Sequence, residues 1–237
     1  FILFISVVMI LLSSERSALM IFLLYIFLLS STFFNKVRNF LFFNFLIFLL
    51  VGSIIYKVEF LKTRYFNNIL DQFKIEYDHF KINTERQDGS KNPKYYIFTQ
   101  AHDEMIRTSF NMFKKKPILG HGSNTFRENC DEFNYDRYKY ACNTHPHNYY
   151  VQILAENGII GFIFLSSLFL YFCFSLIKNF FKNKKIINLF IIPNILIIWP
   201  LLPHGNFFNN WISIIIFLNL SIYFSINKKL NTNEKNI

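Results

Sequence analysis

Five stretches of this chain are so apolar that they dictate its surroundings. They are "ALMIFLLYIFLLSSTFF" (18–34), "FLFFNFLIFLLVGSIIY" (40–56), "GIIGFIFLSSLFLYFCFSLI" (158–177), "IINLFIIPNILIIWPLL" (186–202) and "WISIIIFLNLSIYFSI" (211–226). Runs of about 18 apolar residues match the thickness of a bilayer core and read as membrane spans. Composition agrees: 52% of residues are hydrophobic, 32 are Phe, and 17% are charged, against about 25% charged in a soluble domain. A sixth run, 1–12, is apolar but short. It has neither a basic leading region nor a small-residue cleavage site, so it does not read as a signal peptide. The chain begins without Met, and this run reads as a helix cut short in the C-terminal part of a longer protein. The expected fold is all-α, a polytopic transmembrane bundle of about six spans. Residues 1–56 and 150–226 would hold the spans, 57–149 a large exterior loop region with amphipathic helices, and 227–237 a cytoplasmic tail.

The net charge of +10 raises the question of nucleic acid, and its distribution argues against it. Short basic loops "NKVRN" (35–39), "KNFFKNKK" (178–185) and the tail "NKKLNTNEKNI" (227–237) fall on one side of the spans. The positive-inside rule makes that side cytoplasmic. The other side then holds "SSER" (13–16), the segment 57–149 and "PHGNFFNN" (203–210). All six histidines lie on this exterior side. Cys173 sits mid-span, as a small apolar residue would. Cys130 and Cys142 lie outside, where a disulfide can persist, and their spacing makes them a disulfide candidate.

Within the exterior segment, Phe98, Ala101, Met105, Ile106, Ser109, Met112 and Phe113 keep helical spacing. Lys114 to Lys116 favour a helix C-terminus and Pro117 ends it. Such a helix would lie on the bilayer surface or cap the bundle. "PILGHGSNTF" follows as a turn. Its Gly120 and Gly122 fit a structural role better than a phosphate cradle. In "NTHPHNYYVQILAENGIIGF", Pro146 can open a helix. Asn148, Gln152 and Glu156 then share one face at intervals of four, ahead of Gly158 and Gly161. Polar groups near a bilayer face the protein interior and find partners. This strip, with His145 and His147 at its head, is the strongest candidate site. Arg16 stands between two apolar runs, placed either to snorkel or to bind. His102, Arg86, Arg107 and Arg127 complete the polar set, and arginines suit bidentate capture of phosphate oxygens. A metal site on His121, His145 and His147 is too loosely specified, so none is assigned. A transporter or channel is disfavoured because the spans carry almost no charge.

"KKKPILGHGSNTFRENC…CNTHPHNYYVQILAENGIIGF" resembles the C-terminal part of the O-antigen polymerase / O-antigen ligase family. "LLSSERSALMIFLL" resembles that family's arginine motif, and "WPLLPHGNFFNNW" the end region of polymerase-like members. The resemblance implies a GT-C-like helical membrane glycosyltransferase of the bacterial inner membrane, active on the periplasmic face and needing no metal or other cofactor. Its donor would be a glycan on undecaprenyl diphosphate. Its acceptor would be a second glycan, in a polymerase, or lipid A core or protein, in a ligase. Membrane lipids and a chain-length regulator protein would be its other partners. By the resemblance, Arg16 contacts the donor diphosphate and His147 is the catalytic histidine, with His145 as an extra one. Glu156, Gly158 and Gly161 match its helix positions. Where many ligases carry a second arginine, this chain has His102. The substitute would be Arg86, Arg107, Arg127 or the histidine itself.

Overall fold

The computed structural model describes residues 2–13, 15–34, 36–67, 100–135, 140–181 and 185–235. The described residues are helical, and no strand occurs among them. They fall into two compact units, 1–95 and 96–237.

The first unit opens with α1 (Ile2–Ser13), α2 (Arg16–Ser30) and α3 (Val37–Lys57). The short α4 (Glu59–Lys62) then runs into a π-helical turn, Thr63–Asn67. Leu19, Leu61 and Tyr65 form its small core, packed against Ile10, Leu11, Leu23, Val51 and Ile55. α3 has no buried residue. Phe42, Phe45 and Phe48 stand exposed, as side chains meeting lipid would. α2 ends before its apolar run does. The hydroxyls of Ser30, Ser31 and Thr32 each bond the carbonyl three residues back, at 2.5–2.7 Å. Such local bonds tighten and close a last turn.

The second unit is built on α7 (Tyr149–Phe181), α8 (Lys185–Ile197) and α9 (Asn210–Lys235). Ile191, Ile192, Ile195, Phe172 and Tyr223 are buried between them. The Tyr171 and Tyr223 hydroxyls meet at 3.1 Å. Two helices lie over the start of α7: α5 (Gln100–Lys115) and α6 (Phe126–Phe133). Their shared core is Met105, Met112, Phe126, Cys130, Phe133 and Ala155. The expected amphipathic helix is therefore present as α5, and it caps the bundle.

Three helices are long and apolar enough to cross a membrane: Val37–Lys57, Tyr149–Phe181 and Asn210–Lys229. Arg16–Ser30 and Ile187–Ile197 are shorter. At 1.5 Å per residue, α2 and α8 reach only roughly 20 Å, against a core of about 30 Å. The run 186–202 yields a short helix because Pro200 disfavours helical geometry in Trp199. The described residues thus hold three helices of crossing length and three shorter apolar helices, α1, α2 and α8, one for each of the six apolar runs.

Candidate functional site

α7 is two helices joined at Gly158, whose φ of 65° and ψ of −162° are not helical. Such a break strands four backbone groups, the carbonyls of Ala155 and Glu156 and the N–H groups of Ile159 and Ile160. The turn after α5 takes up all four. His121 N donates to Ala155 O (3.3 Å) and Gly122 N to Glu156 O (2.8 Å). Ile159 N donates to Pro117 O (2.8 Å) and Ile160 N to Ile118 O (3.5 Å). The two backbones touch. A Cβ on Gly120 would meet the Glu156–Asn157 backbone, and one on Gly158 the Ile118–Gly120 backbone. Both glycines also have φ near +70°, which only glycine adopts readily. The glycine turn spends its N–H groups on α7 and on Lys116 O, so they do not form an open anion cradle.

Each member of the polar strip is engaged. Asn148 Oδ1 caps α7, accepting from Tyr150 N and Val151 N, while its Nδ2 donates to Pro200 O at 2.8 Å. Gln152 donates to Asn206 Oδ1 (2.8 Å) and accepts from Phe207 N (3.0 Å). Glu156 is 0% exposed. Its two oxygens accept from Phe126 N (2.7 Å), Asn124 N (2.9 Å) and Gln152 Nε2 (3.2 Å). That places a carboxylate at the N-terminus of α6, where orphan N–H groups need an acceptor. The strip therefore bolts two loops, the α8–α9 connection and the turn into α6, to one helix.

The histidines gather at the head of this strip. The rings of His145 and His147 lie 4.3 Å apart, and His102, from α5, lies 5.8 Å from His147. His147 has φ 55°, a left-handed conformation that is uncommon outside glycine and costs of order 1 kcal/mol or more. Its carbonyl accepts from His204 N at 2.8 Å, and Asn143 Nδ2 stands 3.4 Å from its Nε2. His145 is held at both ends. Its Nε2 faces His204 O at 3.3 Å and its Nδ1 faces Thr144 Oγ1 at 2.8 Å. A carbonyl only accepts, so Nε2 carries the proton and Nδ1 takes the threonine's. Burial, and then the neighbouring His147, push the titration of both His102 and His145 down. These two rings are accordingly neutral near pH 7.

His204 was not among the residues singled out from the sequence, yet its backbone brackets both His145 and His147. Its ring stacks on Tyr149 at 4.2 Å. Burial lowers its pKa to about 4. Its sequence signals were its place among the exterior histidines and within "WPLLPHGNFFNNW". His121 is occupied elsewhere, with Nε2 2.9 Å from Met112 O and its ring on Phe133. Arg107 pairs with Asp103 one turn back on α5. Arg127 is exposed on α6. Arg86 lies outside the described residues. Arg16 opens α2 in the first unit. There the raised pKa of Tyr65, due first to burial and then to Glu15, is held back by Arg64 and Arg16, so the two guanidiniums share one end of that unit. Arg64 also escaped the sequence reading. Cys130 and Cys142 are joined in a disulfide, with Cα atoms 5.5 Å apart. With Asp131 they are the cluster of metal-ligand type among the described residues, but a disulfide has no thiolate to offer.

Apolar helices of crossing length, capped by a polar platform that carries a histidine cluster, define an integral membrane protein with a candidate site in its loops. The family model described as O-antigen ligase matches residues 1–166. The chain belongs to that family. No curated protein and no solved structure matches it.

Proposed function

We propose that this chain is the working part of a glycosyltransferase of the bacterial inner membrane. It would join glycan repeats carried on undecaprenyl diphosphate, at the periplasmic face. The observation that carries this reading is His147: a left-handed residue whose carbonyl is held by His204, with the imidazoles of His145 and, from α5, His102 against its ring. Strain of this kind persists only where surrounding structure over-determines it, and it clusters at active sites. Transfer of a glycosyl group requires an acceptor hydroxyl to lose its proton as the bond to the sugar carbon forms. An imidazole in reach of that hydroxyl serves as the base. The leaving diphosphate gains charge in the same step, and arginines stabilise it. Arg16 takes that role, with Arg64 as a companion. Asn148, Gln152 and Glu156 act by positioning the histidine loop.

Transfer of the glycan to lipid A core, the reaction of a ligase, is the second reading. The family match is compatible with both reactions, and the histidine pair and the segment "GNFFNN" favour polymerisation. Lipopolysaccharide from a strain lacking the gene separates them. Core capped with a single repeat is the expected product. Bare core with accumulated lipid-linked polymer would establish the ligase instead, and unchanged lipopolysaccharide would refute both.

A further inference from the structure

Beside the histidine cluster lies an open cavity of about 290 Å³, lined by Arg127, Cys130, Asp131, Cys142, Asn143 and Thr144. It is joined to the candidate site directly. Asn143 reaches His147 Nε2 at 3.4 Å and Thr144 reaches His145 Nδ1 at 2.8 Å. Its floor is the Cys130–Cys142 disulfide, which ties α6 to the segment that carries the histidines. The four polar lining side chains are exposed. Arg127 and Asp131 stand one turn apart on α6, and among the described residues neither belongs to an ion pair.

Charge decides what such a cavity accepts. Among the described residues that line it, one guanidinium and one carboxylate balance to no net charge. A diphosphate would gain from Arg127 but meet Asp131 at similar range, and like charges in contact are a strong device against the wrong ligand. A neutral polyol uses both. A guanidinium and an amide donate to hydroxyl oxygens, a carboxylate accepts from adjacent hydroxyls, Asn143 offers both functions, and Thr144, whose proton goes to His145, offers a hydroxyl oxygen as acceptor. The volume sits just under the usual range of about 300–1,000 Å³ for small-ligand pockets, which suits one sugar ring. The disulfide keeps the donors in place before binding, which reduces the ordering a ligand must impose.

We infer that this disulfide-floored cavity is a sugar subsite that binds a hydroxyl-bearing ring of the acceptor glycan and presents it to His147. The inference rests on the glycosyl-transfer reading above. It assigns Arg127 to sugar rather than to the donor diphosphate, and adds Asp131, Asn143 and Thr144.

The test uses the full chain in lipid nanodiscs. The probe is the repeat-unit oligosaccharide cleaved from its lipid diphosphate, titrated by saturation-transfer NMR, with inorganic pyrophosphate in a parallel arm. Arg127→Ala and Asp131→Asn should each weaken oligosaccharide binding at least tenfold. Glu128→Gln, exposed on the same helix, should leave it unchanged. Oligosaccharide binding that ignores both cavity variants overturns the inference. So does pyrophosphate binding that Arg127→Ala abolishes and Asp131→Asn tightens, since the cavity would then be an anion site. Full activity of a His147→Ala variant would instead overturn the transfer reading, and sugar binding in the cavity would still be measured separately.

Discussion

At the residue scale, the second unit depends on neutral histidines. The His204 ring, stacked on Tyr149, has its pKa lowered by burial from 6.5 to about 4. His102 and His145 shift in the same direction. The unfolded chain therefore binds protons below pH 6.5 that the folded chain refuses. By linkage, stability falls as pH drops from about 6.5 toward 4 and is flat above that window. Thermal unfolding of the purified protein should show a lower midpoint at pH 5 than at pH 7.5. His204→Phe keeps an aromatic stack and cannot take up a proton, so it should reduce that difference. An equal drop in both proteins would remove His204 from the explanation.

At the element scale, the join between the glycine turn and the kinked α7 is the structural centre of the family motif. Two carbonyls and two N–H groups released at Gly158 pair across to residues 117–122. Gly158→Ala places a methyl on the Ile118–Gly120 backbone at a positive φ. Backbone cannot yield as a side-chain tip does, so the loss should be at the severe end of single substitutions, about 3 kcal/mol or more. Gly52 has open space around its Cβ position, and Gly52→Ala should leave the unfolding midpoint within a degree or two. The amphipathic periodicity of α5 and its stop at Pro117 were legible in the sequence, because each is a local rule. The expected helix start at Pro146 was not met: α7 begins at Tyr149, because the Asn148 side chain caps it three residues nearer the span. The partners of Asn148, Gln152 and Glu156 were not legible. Spacing puts three polar side chains on one face, but their partners Pro200, Asn206 and Phe126 are 30 to 54 residues away. The end of α2 was not legible either, because apolar composition does not reveal a hydroxyl-closed turn.

At the scale of the whole molecule, the matched family region ends at residue 166, yet His204 and Asn206 complete the histidine platform from beyond it. The platform is thus assembled by residues distant in the chain. The proposal that it faces the periplasm, made on the basic loops, is open to a direct check. In a Cys173→Ser background, a single cysteine at Ser123 in the glycine turn should react in intact spheroplasts with a membrane-impermeant maleimide. One at Asn227 should react only after lysis. The reverse pattern would invert the topology and with it the proposed donor. The most direct test of the central claim is glycan transfer by the reconstituted full-length enzyme carrying His147→Gly. Glycine relieves the left-handed backbone and removes the imidazole, so the variant should unfold no earlier than the unsubstituted protein while transfer falls at least a hundredfold. Transfer at the unsubstituted rate would contradict the account, because His147 would then be a strained bystander.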